Sequence, residues 1–163
     1  MKIDLGCGPA CEPGALGVDL MPYPGVAVVA RAENLPFKSE SLSTIYTRHV
    51  LEHVDLVPTM NEIWRCLRPQ GHLMLYVPHC TGMTAWSDPT HRRAFTYRTW
   101  DFFEEGTYGL PRFHIVERVL HWRPSGQFPR VDALVNRRPR FFEKYLAPLV
   151  GGCHEIYCLM KKV

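Results

Sequence analysis

Lys2-Ile-Asp-Leu-Gly-Cys-Gly-Pro9 is the stretch on which the reading of this chain turns. A short apolar run that stops at Gly6 and Gly8 has the form of a strand. The glycines let the backbone turn sharply and come close to a ligand without a Cβ in the way. In open α/β sheets, ligands sit beyond the carboxyl ends of the strands. The next run, Ala15 to Leu20, closes on Asp19, a carboxylate that can accept hydrogen bonds from both hydroxyls of a ribose. A dinucleotide site calls for G-x-G-x-x-G and a helix whose N-terminus faces the diphosphate. Here Cys11 takes the third glycine's place, and Pro9, Pro13 and Gly14 leave no room for a helix before Ala15. A ligand with a ribose and no phosphate fits these residues better.

Outward from this stretch, strand and helix signals alternate. Val26 to Ala30 and Leu42 to Thr47 are strand-length apolar runs. Pro58 to Leu67 reads as a helix, with Met60, Ile63, Trp64 and Leu67 at helical spacing and Arg68-Pro-Gln-Gly71 as its stop. His72 to Val77 is nearly all apolar and predicts a central strand buried on both faces. Further on, Thr99 to Glu105 reads as a helix, Arg112 to Trp122 and Glu155 to Lys161 as strands, and Arg140 to Leu149 as an amphipathic helix. The order predicts a doubly wound α/β fold, in one domain over residues 1–163.

With 163 residues and 46% hydrophobic content, the chain can build one core. No signal-peptide pattern and no run of about 18 apolar residues is present, which predicts a cytoplasmic protein without a membrane span. The six cysteines include no C-x-x-C pair and are read as reduced thiols. A formal charge of +3 does not by itself imply nucleic acid. Arg130, Arg137, Arg138, Arg140 and Lys144 are read first as a solvated face, ahead of attraction to an acidic acceptor or RNA; Phe141, Phe142 and Tyr145 beside them read as a buried helical stripe.

Five blocks together carry a resemblance: Ile3-Asp-Leu-Gly-Cys-Gly-Pro9, Gly17-Val-Asp-Leu20, Ala32-Glu-Asn-Leu-Pro-Phe37, His49-Val-Leu-Glu-His53 and Glu62-Ile-Trp-Arg-Cys-Leu-Arg-Pro-Gln-Gly71. In order and spacing this resembles the class I S-adenosylmethionine (SAM)-dependent methyltransferases of the type 11 kind, and the resemblance implies a three-layer, doubly wound, mostly parallel Rossmann-like sheet with a reversed final strand. The resemblance implies SAM as cofactor, with Asp4, Gly6 and Gly8 along the methionine moiety, Asp19 on the ribose and Leu20 or Met21 flanking the adenine. Glu33, Asn34 and Leu35 take the place of the family's adenine-edge residues, and Arg48 and His49 are expected to face the sulfonium. Arg31 stands where many relatives carry an acid, and the segment from Gly8 to Asp19 is too short for the usual helix. The helices that precede the first strand in relatives are absent from this sequence, which implies a site left open or completed by a second copy, a homo-oligomer.

The acceptor side is expected from the loop after Val77, His79 to Thr96, whose length and Trp, His and Phe content favour a functional role. Methyl transfer from a sulfonium requires alignment and, for a hydroxyl or amine, a proton acceptor. His79, Asp88 and His91 are the catalytic candidates. The same three residues also form a recognisable ligand set, and His49 and His53 stand four apart, but no metal is assigned to either group. The resulting expectation is methyl transfer from SAM to a small-molecule or glycan-type acceptor. The alternative is an inactive SAM-fold module that serves as a binding or assembly partner.

Overall fold

The apolar runs of the first half fold as β1 (Lys2–Leu5), β2 (Leu16–Asp19), β3 (Val26–Val29) and β4 (Leu42–Arg48), all parallel. Helix α1 (Leu56–Cys66) leads directly into β5 (Leu67–Pro78). The structure, a computed structural model, describes residues 1–124 and 127–163. β6 (Phe113–His121) and β7 (Glu155–Lys162) complete a seven-stranded sheet in the order β3-β2-β1-β4-β5-β7-β6, with β7 antiparallel to both neighbours. This is the doubly wound, mostly parallel sheet with a reversed final strand. The strand order reverses between β1 and β4, which makes that crevice the ligand position of an open α/β sheet.

One core lies on one face of the sheet. Leu56, Met60, Ile63 and Cys66 of α1 pack with Ile3, Leu5, Ile45, Leu73 and Leu75. Further along the same core, Phe95 stacks on Trp100 at 5.4 Å, and α3 (Asp101–Glu105) adds Phe103. α4 (Pro129–Val135), which the sequence did not announce, adds Val135.

The second face differs from expectation. Along β5, Leu73, Leu75 and Val77 are fully buried, while His72, Met74 and Tyr76 between them are half-buried. The strand therefore alternates and is not buried on both sides. Tyr46 and Tyr157, on the same rows as Met74 and Tyr76, are half-buried too. The cause is local: the connections over residues 6–15 and 20–25 are short turns, and no helix forms in either. The supposed stop at Arg68-Pro-Gln-Gly71 instead opens β5, with a register shift opposite Leu42 to Thr44 and Gln70 at a positive φ of 63°.

The amphipathic helix read over 140–149 is broken. A helical turn at Pro139–Phe141, a π turn at Phe142–Leu146 and a 3-10 turn at Ala147–Leu149 follow one another, and Pro148 removes one backbone donor from the run. Phe141, Tyr145 and Leu149 are consequently exposed, and only Phe142 and Ala147 join the core. Among the described residues no helix is long and apolar enough to cross a membrane.

Candidate active site

Both loop glycines have positive φ, 71° at Gly6 and 56° at Gly8, but the reasons for glycine differ. A Cβ on Gly6 would collide with the side chain of Val50, whereas one on Gly8 would meet nothing within 4 Å. Asp19 ties this loop to the next strand's end. Its Oδ2 accepts from the Gly8 N–H and its Oδ1 from the Met21 N–H, both at 2.9 Å. Each oxygen retains a lone pair for a further donor such as a ribose hydroxyl.

Beside Asp19 opens a cleft of about 780 Å³, bordered by Gly6, Leu20, Met21, Glu33, His49 and His53. Leu20, Met21 and Tyr23 are exposed apolar side chains next to an acid, a surface suited to a flat ring whose ribose meets the carboxylate. The volume lies in the ordinary range for small-ligand sites, roughly 300–1,000 Å³. Across the cleft, Glu33 pairs with Arg31 at 3.4 Å, and Asn34 is exposed in the same turn. Leu35 does not line it. Its side chain is in the core, and its N–H donates to Glu62 Oε1 at 2.7 Å, with Glu62 clamped by Arg65. Leu35 is therefore a support of the turn.

Asp4 also departs from expectation. It is buried beneath the loop, where its Oδ2 accepts from the Glu12 N–H at 2.8 Å, and burial raises its pKa. It borders a second cavity of about 290 Å³, on the sheet's more open face, with Gly6, Glu12, Tyr46, Arg48 and Tyr76. Arg48 points there as well, 4.9 Å over the Tyr76 ring and 3.9 Å from Glu12. Of the Arg48–His49 pair, only His49 reaches the cleft, because successive side chains leave a strand on opposite faces.

His49 adopts a positive φ of 55°. Its Nε2 lies 3.0 Å from Glu155 and its Nδ1 3.4 Å from Glu52. The hydrogen bond to Glu155, then that to Glu52, pushes its pKa up to about 9. It is a cation at neutral pH.

The loop after β5 is built, not structureless. His79 and Phe95 form a β-bridge, Cys80 N–H donates to Phe95 O at 2.8 Å, and α2 (Thr84–Ser87) lies between, with Trp86 Nε1 donating to Cys80 O at 2.8 Å. His79 is fully buried. Its Nδ1 accepts from the Thr81 N–H at 3.2 Å and its Nε2–H donates to Glu143 at 2.8 Å. One ring nitrogen is thus spent on Thr81 within the loop and the other on holding the loop to Glu143. Asp88 and His91 instead border a cavity of about 370 Å³ with His49, Glu52, His53 and His154. That cavity and the larger cleft share His49 and His53. Thr90 and Arg92 reach the cleft itself, and no spacing in the sequence signals this. Glu52 and His53 lay within a recognised block, but a sequence does not show that the loop folds over them.

Residues 3–75 match the methyltransferase domain family. No curated protein matches the chain. Among solved structures, a SAM-dependent methyltransferase from Archaeoglobus fulgidus superposes with a TM-score of 0.68 at 16% identity, covering 99% of this chain and 85% of that one. An S-adenosylmethionine-dependent methyltransferase from Mesorhizobium loti gives 0.63 at 17%, covering 99% and 90%. Geranyl diphosphate C-methyltransferase from Streptomyces coelicolor, in complex with Mg2+, geranyl diphosphate and S-adenosyl-L-homocysteine, gives 0.66 at 14%, covering 99% and 71%. At such identities the likeness is one of fold.

Proposed function

We propose that this class I SAM-dependent methyltransferase holds its cofactor in the cleft at Gly6, Asp19, Leu20, Met21, Glu33 and His49. The methyl group then passes to a small-molecule or glycan-type acceptor in the cavity at Asp88 and His91. The observation that carries this reading is that His49 and His53 line both spaces. A cavity of about 370 Å³ suits a small molecule or a single sugar ring.

Bound SAM supplies an electrophilic methyl carbon on a good leaving group. The chain's own residues must then orient the acceptor and take its proton where it is a hydroxyl or amine. Asp19 fits the ribose: it is fixed by two backbone donors and keeps acceptor capacity toward the cleft. His49 is already protonated at neutral pH and so is no base. His91 suits that role better, because its Nδ1–H donates to Ala85 O at 3.0 Å and its Nε2 is left as an acceptor, with Asp88 4.0 Å away. His79 is withdrawn from catalysis and becomes a structural residue. The chain works as one domain, and its six free thiols suit a cytoplasmic setting.

Isothermal titration with SAM and with its demethylated product tests the cofactor half. Binding of both is expected, and binding of neither overturns it. Labelled SAM with a panel of small hydroxyl and amine acceptors tests the other half. On an acceptor so found, Asp88→Ala and His91→Ala should lower turnover and leave SAM affinity intact. Turnover unchanged in both variants would refute the acceptor cavity.

A further inference from the structure

Glu52 is fully buried, and apart from the ion pair with His49, which His49 divides between it and Glu155, neither of its carboxylate oxygens receives a hydrogen bond. The nearest polar hydrogens and lone pairs belong to imidazoles: His49 Nδ1 at 3.4 Å and His91 Nε2 at 4.0 Å, both from Oε1. A carboxylate removed from water with one long, shared ion pair and no close donor is only partly compensated, and a second cation would complete the compensation. Two more imidazole contacts point the same way. The rings of His53 and His91 meet edge to face with centroids 4.6 Å apart, and one ligand atom from each of Glu52, His53 and His91 lies within 4.8 Å of the other two.

The hydrogen bonds around these rings fix which nitrogen is bare. His91 Nδ1–H donates to the Ala85 carbonyl at 3.0 Å, so Nε2 carries the lone pair. Thr90 spends its only hydroxyl hydrogen on Asp88 Oδ1 at 2.6 Å and must therefore accept from His53 Nδ1–H at 2.9 Å, which leaves His53 Nε2 bare. Each ring is held through one nitrogen by a carbonyl or a carboxylate-backed hydroxyl, the support that metal-binding imidazoles ordinarily have. The other His-rich group, His79 with Cys80 and Glu143, lacks this form. Its imidazole donates to its carboxylate at 2.8 Å, and burial pushes its thiol up to about 11.

From the buried carboxylate, held only by the shared His49 ion pair, and the two oriented imidazoles we infer that Glu52, His53 and His91 form a binding site for a divalent cation of the first transition row. Two imidazoles and one carboxylate favour Zn2+, Co2+ or Fe2+ over Mg2+ or Ca2+, which take oxygen ligands. Small side-chain rotations would bring the three atoms to about 2.0–2.2 Å from one ion. Its remaining positions face the cavity that also holds Asp88. The site takes the same His91 Nε2 lone pair that the proposed base uses, so a bound cation and that base exclude each other, but cation binding is measured without cofactor or acceptor and fails or holds independently of methyl transfer.

The test is a Co2+ titration of the chelator-treated full chain, followed by its ligand-field absorbance and by thermal unfolding. One equivalent is expected to bind, to raise the melting temperature and to show no thiolate-to-cobalt charge-transfer band. Glu52→Gln and His91→Ala should each weaken binding about 100-fold. Thr90→Val, an exposed change that removes the support of His53 together with the hydroxyl's bond to Asp88, should weaken it by roughly 10–100-fold. Cys80→Ser should change nothing. An absent cobalt spectrum would overturn the site, as would a charge-transfer band that disappears in Cys80→Ser. So would equal affinity in Glu52→Gln or, should that variant fail to fold, in Thr90→Val.

Discussion

At Gly6 a single methyl group has no room, because an added Cβ enters the Val50 side chain at a φ of 71°. Gly6→Ala is expected to lower stability by about 1–3 kcal/mol, and Gly6→Ala with Val50→Ala to recover part of that loss. Urea unfolding of the four members of this cycle measures the coupling, and strict additivity would locate the strain in the backbone alone. Asp19→Ala should weaken SAM binding by roughly 1.5–3 kcal/mol, since hydrogen bonds to a charged acceptor are lost. Titration calorimetry on the folded variant decides this, and unchanged affinity removes Asp19 from the ribose. These two residues are legible in the sequence because their demands are local: a turn needs glycine, and a strand end offers a carboxylate. Leu35, Asp4 and His79 are harder to place from the sequence for the converse reason. Each has the right type and place in the chain, but its side chain goes to the core, beneath the loop or to Glu143.

The loop after β5 and the irregular turns at 139–149 are held together as a unit through Glu143. Its Oε1 accepts from His79 Nε2–H at 2.8 Å and from the Tyr97 N–H at 2.6 Å. Burial alone would raise the Glu143 pKa, but the hydrogen bonds from His79 and Tyr97 outweigh it and leave the pKa below the ordinary glutamate value of 4.5. A depressed carboxylate pKa adds stability that is fully present above 4.5 and is lost as the pH falls through the folded-state value. Thermal melts of the wild type should therefore fall more steeply with acid below that point than those of Glu143→Gln. Parallel curves would mean that the charge on Glu143 does not hold the loop. No sequence pattern announces this contact, which joins residues 64 positions apart. The helical periodicity of 140–149 was real, but Pro148 and the pull of Glu143 toward His79 break the run. Phe141 and Tyr145 are then left in water beside Arg138, Arg140 and Lys144.

Across the whole molecule the consequence of the short connections at 6–15 and 20–25 is a sheet packed tightly on one face and loosely on the other. The doubly wound α/β class was legible because the apolar runs alternate with helix signals, and the reversed final strand followed from the family resemblance. The one-sided packing was not, since an apolar run such as Leu73 to Val77 looks the same whether one or both of its faces are covered. Neighbouring residues of β5 separate the two cases. Leu75 is fully buried against the helical layer, whereas Met74 faces Tyr46 and Leu159 on the half-buried side. Leu75→Ala should lower stability by about 2–5 kcal/mol, the range for emptying a closed core site. Met74→Ala should cost less than half as much, because it forfeits only partial burial and water fills the space it leaves. Denaturant unfolding at low and high protein concentration makes the comparison. A small Met74 effect at both concentrations fits a sheet face exposed in solution. A large effect that appears only at high concentration means that a second copy covers this face, and with it the cavity between Asp4 and Arg48.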